Sequence, residues 1–300
     1  MRRNHPSVCL KMALLFVVAV ILMLPQAEGI VRRHDVDEQE YIDLGGSFPA
    51  AGLFLHNTSP QGSGVLISET GVGASEWVLT AAHINTPNFF NINGVNYDVA
   101  EMIRHPGFGG STGGPPGSGL ADDIALVRLT EPVVGVTPMR WHDDDADLQA
   151  GVEVFTVGLG LSGTGLTGEE GTSGTRRAAE NTIFARGAQS PQTPIPTAFT
   201  YRFHAPTDSD VRPLEGMAVF LDSGGPVIAD FGGDVVIGVH SYVDDRDGGG
   251  RGTYGDDVGS TRVPLYDEWI LGTIPEPNTI TLLGLAVIAL YAWRRSFQAL

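Results

Sequence analysis

Apolar residues in this chain gather in short stretches fenced by Gly, Pro, Asn or Asp. Gly64-Val65-Leu66-Ile67, Trp77-Val78-Leu79-Thr80, Ile124-Ala125-Leu126-Val127 and Val235-Val236-Ile237-Gly238-Val239 are the clearest. Each is too short for a buried helix and most are rich in β-branched residues, so they predict strands linked by frequent turns. Forty glycines and nineteen prolines fit that punctuation and not a helical protein. Helical character is expected in the body only near its end, where Pro264 to Leu271 predicts a short amphipathic helix carrying Trp269. Gly107 to Gly119 and Ser162 to Gly174 read as loops, and no internal repeat is visible. The class is all-β.

The two ends depart from this pattern. Arg2, Arg3 and Lys11 precede an apolar run from Met12 to Leu24, which Pro25 breaks; small residues Ala27 and Gly29 then stand at the -3 and -1 places for cleavage before Ile30. That is the layout of a secretory signal peptide, expected to cover residues 1–29 and to be removed by signal peptidase. At the other end Pro275-Glu276-Pro277 is followed by an apolar run from Thr279 to Trp293 and then Arg294-Arg295. Residues 273–300 resemble a PEP-CTERM sorting tail, which implies a short transmembrane segment with its arginines on the cytoplasmic side and handling by an exosortase-type sorting enzyme. The body, residues 30–272, is therefore expected outside a bacterial cell, at the surface or released after tail processing.

Composition narrows the function. With 42% hydrophobic and 18% charged residues, the body is globular and not disordered. The formal charge of -17 repels nucleic acid and anionic lipid and excludes both as partners of the body. The single cysteine, Cys9, lies in the expected leader, so the mature body has no disulfide and is held by packing alone.

Three segments carry candidate chemistry, in this order: Trp77-Val78-Leu79-Thr80-Ala81-Ala82-His83, Asp123-Ile124-Ala125-Leu126-Val127-Arg128-Leu129, and Asp222-Ser223-Gly224-Gly225-Pro226. Gly62-Ser63-Gly64-Val65-Leu66-Ile67 and Arg104-His105-Pro106 support them. Together these segments resemble the trypsin/chymotrypsin family of serine proteases over nearly all of the body. The resemblance implies two packed six-stranded antiparallel β-barrels, about residues 30–140 and 141–263, with a short C-terminal helix and a catalytic cleft between the barrels. It implies a triad of His83, Asp123 and Ser223: the serine hydroxyl is a poor nucleophile until a base takes its proton, and the carboxylate orients that base. Asp122 next door is expected on a strand, facing solvent.

The same resemblance assigns the oxyanion hole to the backbone N–H groups of Ser223 and Leu221, where the family has glycine in place of Leu221. It pairs a free Ile30 terminus with Asp222, with Arg32-Arg33 standing where glycines are usual. Signal peptidase cleavage itself would then create that terminus. Met217 stands where trypsin-like members carry a pocket-floor Asp, and Ser241, Tyr242 and Val243 match the pocket wall; small or medium aliphatic P1 side chains are expected. No cofactor is implied. The Asp/Gly-rich stretch Asp244 to Asp257 lacks the spacing of a calcium loop, and His34, His56, His142 and His204 show no ligand spacing, so no metal is expected. His105 and His240 read as structural. The expected function is hydrolysis of protein or peptide substrates, against two alternatives: a catalytically impaired surface or matrix-binding protein that keeps the fold, and an ester or cell-wall hydrolase using the same triad.

Overall fold

The structure is a computed structural model that describes residues 29–110, 120–190, 193–246 and 248–274. The expected leader apart from Gly29, the central part of the Gly/Pro/Ser loop and the apolar tail lie outside the described residues. Among the described residues no helix is long and apolar enough to cross a membrane.

The chain starts with a two-residue strand, β1 (Val31–Arg32), and a nine-residue helix, α1 (Glu38–Gly46). The sequence pattern did not suggest that helix. Its start is nonetheless encoded: Asp37 caps it by accepting from the Gln39 N–H at 2.9 Å, and Glu38 and Glu40 oppose the helix dipole.

Six strands then form a closed barrel: β2 (Ala51–His56), β3 (Ser59–Ile67), β4 (Ser75–Thr80), β5 (Phe89–Ile92), β6 (Val95–Arg104) and β7 (Ala125–Val133), in the order β2-β3-β4-β7-β6-β5. The β5–β6 turn is Asn93-Gly94 with both φ angles positive, the two-residue turn whose twist matches that of a hairpin.

β8 (Arg140–Trp141) leads into the second half: β9 (Glu153–Gly158), β10 (Ser162–Thr164), β11 (Gly168–Glu170), β12 (Arg177–Ser190), β13 (Thr193–Arg202), β14 (Gly216–Met217), β15 (Pro226–Asp230), β16 (Asp234–Asp244) and β17 (Asp257–Arg262). Six of these run in the order β15-β9-β12-β13-β17-β16, and the β15–β16 pairing closes the ring, with β8 added outside β16. A 3-10 turn (Val263–Tyr266) and helix α2 (Asp267–Thr273) end the described body. The C-terminal helix thus appears where expected, its first turn tightened around Pro264.

Three places differ from the sequence expectation. Ile30 to Arg32 do not belong to the first barrel; β1 lies between β10 and β14 in a four-stranded sheet, β11-β10-β1-β14, attached to the second half. The stretch from Ser162 to Gly174 holds the β10–β11 hairpin, whose glycine-rich strands carry no readable alternation. Asp122 is not on a strand but in a left-handed turn (φ 58°), half-buried, with its carboxylate accepting from the Tyr266 hydroxyl at 2.7 Å.

Each barrel has its own core, and a third apolar cluster joins them. Phe48, Ala51 and Leu53 from the first half meet Val157, Leu159, Ala178 and Ile228 from the second. Helix α2 crosses back: Ile270 and Tyr266 pack into the first barrel's core, and the Trp141 indole donates to Asp267 at 2.7 Å. The joint that these contacts fix carries the candidate site.

Candidate active site

His83 follows β4 and Asp123 precedes β7, both from the first barrel, while Ser223 sits between β14 and β15 of the second half. Asp123 is fully buried. Its carboxylate accepts from the His83 backbone N–H at 2.8 Å and from His83 Nδ1 at 2.7 Å, and Ser241 Oγ donates to the same oxygen at 2.5 Å. Because an ionised carboxylate only accepts, the proton is on Nδ1 and the His83 Nε2 lone pair is free. Burial disfavours the imidazolium, but the charge of Asp123 and its hydrogen bond more than offset this, so the His83 pKa lies above its ordinary value of 6.5. Thr261 Oγ1 ties the Asp123 carbonyl at 3.0 Å.

Ser223 is brought to the same cleft through its backbone. Its carbonyl accepts from the Ser63 N–H at 2.7 Å, and a Cβ on the neighbouring Gly224 would lie 2.1 Å from Thr80 Oγ1 and 2.7 Å from Ile84 Cδ1, the residue after His83. Only glycine, here with φ 84°, permits that approach. The Ser223 hydroxyl makes no hydrogen bond to a described residue, His83 included.

The loop from Phe220 to Gly225 is pinned on every side. The N–H groups of Asp222, Gly224 and Gly225 donate to Val219, His240 and Asp222 carbonyls, and Leu161 N–H donates to the Phe220 carbonyl at 2.9 Å. Ser63 Oγ donates to the Leu221 carbonyl at 3.0 Å. The N–H groups of Leu221 and Ser223 donate to no described residue. Leu221 adopts φ 69°, the left-handed conformation that glycine favours. Leucine takes that conformation at a local cost of about 1–2 kcal/mol.

Asp222 is fully buried and accepts three backbone N–H bonds: from Gly160 at 2.6 Å, Val219 at 2.9 Å and Ile30 at 3.3 Å. The structure thus brings Ile30 and Asp222 together while Gly29 is still attached. Burial pushes the Asp222 carboxyl up to about 7 against the opposing pull of these N–H groups and of the nearby Arg177. Ile30 pays with a positive φ of 62°, a true outlier for a β-branched residue.

The four residues that the resemblance assigns to a substrate pocket lie on two strands, β14 and β16. Met217 is fully buried on β14, opposite Val31 of β1. Ser241, as described, is used by Asp123. Tyr242 is nine-tenths buried against Ile195 and Ala198, its ring lying over Gly259. Val243 is half-buried and stands directly opposite Val258, which the sequence reading passed over. Opposed residues of an antiparallel pair share a face, so these two β-branched side chains stand side by side. Ser63 was also missed in this role: it lies within a quoted motif, but nothing in the sequence shows that it grips both Leu221 and Ser223.

Other candidates resolve into structure. His240 is buried between Thr156 and Ser260, its pKa driven down to about 3 by desolvation, and His105 packs edge-on against Tyr266 and Trp269. In the Asp/Gly-rich loop, Asp256 accepts N–H bonds from Arg246, Gly252 and Thr253, Asp257 pairs with Arg202 and Arg246, and Asp245 accepts from Gly248 and Gly250. Those carboxylates stiffen the loop.

A pair of joined six-stranded barrels with a half-buried histidine on a buried aspartate at the seam defines the class as a two-barrel protein of the serine-peptidase type. The trypsin family model matches residues 45–270, and the chain belongs to that family. A second match, to the PEP-CTERM protein-sorting motif, covers residues 273–296. Among solved structures, the fold is shared with neuropsin, a serine protease expressed in the limbic system of mouse brain, at 20% identity and a TM-score of 0.59, over 81% of this chain and 99% of that one.

Proposed function

We propose that the mature chain is an exported serine endopeptidase that cleaves peptide bonds through an acyl-enzyme on Ser223. Ser223 Oγ attacks the scissile carbonyl carbon as His83 Nε2 takes its proton. Asp123 holds the resulting imidazolium through Nδ1, and the N–H groups of Leu221 and Ser223 receive the oxyanion. The imidazolium then protonates the leaving amine, and water repeats the sequence in reverse on the ester. The single observation that carries this reading is the Asp123 carboxylate bonded to both His83 and Ser241, beside a loop whose only undonated N–H groups are the two the chemistry needs.

The pocket favours small or medium aliphatic P1 residues. Met217 offers no counter-charge to a basic side chain, and Val243 with Val258 obstructs an aromatic one. Removal of residues 1–29 by signal peptidase leaves Ile30 as an ammonium facing Asp222 and releases the left-handed strain at Ile30, since φ of that residue is fixed by the Gly29 carbonyl. The sorting tail supports export and handling by an exosortase-type enzyme.

The test is covalent labelling of the processed protein with a fluorophosphonate, with the modified peptide mapped. Label on Ser223 that disappears in His83→Ala is the expected outcome. Folded protein that takes no label overturns the hydrolase reading in favour of a binding protein on a protease scaffold.

A further inference from the structure

Arg177, on β12, is an unusual tenant of the interior. It is fully buried, the bulkiest such side chain in the described body, and a buried guanidinium requires anionic partners. One is Glu38 at the start of α1, to which its Nη2 is paired. Its other surroundings converge on the loop beneath the nucleophile. Arg177 stands opposite Gly158 in the β12–β9 pairing. Gly158 in turn lies so close to Asp222 that a Cβ there would sit 2.0 Å from Asp222 Oδ1. Arg177 Nη1 donates to the Gly29 carbonyl at 3.5 Å, and Gly29 packs on the Gly158 carbonyl. The last leader residue, the first mature residue, Asp222 and Arg177 therefore share one small buried compartment.

In the unprocessed chain that compartment holds one buried carboxylate, Asp222, and one buried guanidinium, Arg177, with the partly exposed Glu38 at the outer end of Arg177. After cleavage the Ile30 ammonium adds a second cation beside Asp222. Yet the geometry around Asp222 is complete before cleavage: three N–H donors reach the carboxylate, β1 is paired on both sides, and Leu221 already has its left-handed φ.

We propose that Arg177 is a positioning residue whose guanidinium serves Asp222 as a built-in countercharge, so that the loop bearing Leu221 and Ser223 takes its working shape before the leader is removed. The inference rests on the peptidase reading. It means that leader removal releases the strain at Ile30 but does not switch the site on.

The experiment compares two forms of the whole chain: one processed to Ile30, and one carrying Ala27→Arg, which spoils the -3 position and leaves the leader attached. The leader-bearing chain is expected to label with fluorophosphonate on Ser223 within about tenfold of the processed rate. In that background Arg177→Gln is expected to abolish labelling, and Arg177→Lys, which keeps the charge, to restore a large part of it; Arg177→Gln in the processed chain, where the ammonium is present, keeps most of its labelling. A leader-bearing chain that stays unlabelled while the processed chain reacts overturns the proposal, as does a folded Arg177→Lys that behaves like Arg177→Gln. If Arg177→Gln fails to fold, the comparison of the two wild-type-arginine forms and the lysine variant still decides it. Failure of both forms to label overturns the peptidase reading itself, and this proposal with it.

Discussion

Leu221 is the residue at which this chain departs furthest from what its chemistry leads one to expect. Its φ of 69° puts leucine in the left-handed region that glycine favours, so the side chain does not keep the backbone out of that conformation. Leu221→Gly is accordingly expected to leave kcat within about threefold and to alter stability by no more than about 1 kcal/mol, the relief of left-handed strain opposing the added freedom of glycine in the unfolded chain. A hundredfold gain in kcat would show instead that leucine withholds the donor. His83 supplies a second check at this scale. Catalysis needs its neutral form, and Asp123 holds its pKa above 6.5, so the acid limb of kcat/KM is expected to have its midpoint above that value. The ion pair's contribution to stability follows the same sign: it is present in full below the unfolded-state pKa and is lost as pH rises through the raised folded value.

At the scale of elements, strand register bears on the proposed substrate pocket. β16 and β17 set Val243 against Val258; on the proposed reading each valine narrows the pocket from its own strand. Val258→Gly and Val243→Gly should each raise kcat/KM for a phenylalanine P1 substrate relative to an alanine one by about 10- to 100-fold, read from paired peptide substrates. Unchanged ratios in both variants would remove these residues from the pocket. This pairing also shows what a linear reading can and cannot reach. The barrel strands were legible because β-branched runs alternate with turn residues, and the His83–Asp123 couple because both residues lie in segments that resemble those of a known family. Val258, Arg177 and Ser63 matter through residues far away in the chain: Val243, Gly158 with Asp222, and the carbonyls of the nucleophile loop. Helix α1 was missed for a different reason. Only Tyr41 and Gly45 are buried along it, too few to impress a helical period on the sequence, although its Asp37 cap was in plain view. The β10–β11 hairpin escaped because glycine strands held by their neighbours carry no pattern of their own.

For the molecule as a whole, the buried compartment around Asp222 links maturation to stability. With the leader attached, burial holds the Asp222 carboxyl at about 7, well above its unfolded value of 3.8. Between those values the folded chain keeps a proton that the unfolded chain has lost, so stability is full below the unfolded pKa and declines as pH rises toward 7. The Ile30 ammonium, once exposed by cleavage, favours the ionised carboxylate and shrinks that decline. Thermal unfolding from pH 4.5 to 7.5 should therefore show a steeper loss of Tm for the leader-bearing Ala27→Arg chain than for the processed one; parallel curves would show that the new terminus does not reach Asp222.

The pairing of Val31 with Met217 has a consequence for how such a protein can change. On the proposed reading, the second residue after the leader junction also backs the P1 floor, so maturation and substrate choice lean on a single seam. A substitution that improves recognition of the junction will press on the floor, and one that reshapes the floor will be felt at the junction. Efforts to retarget this scaffold should vary positions 31 and 217 jointly, because neither trait is free to drift alone.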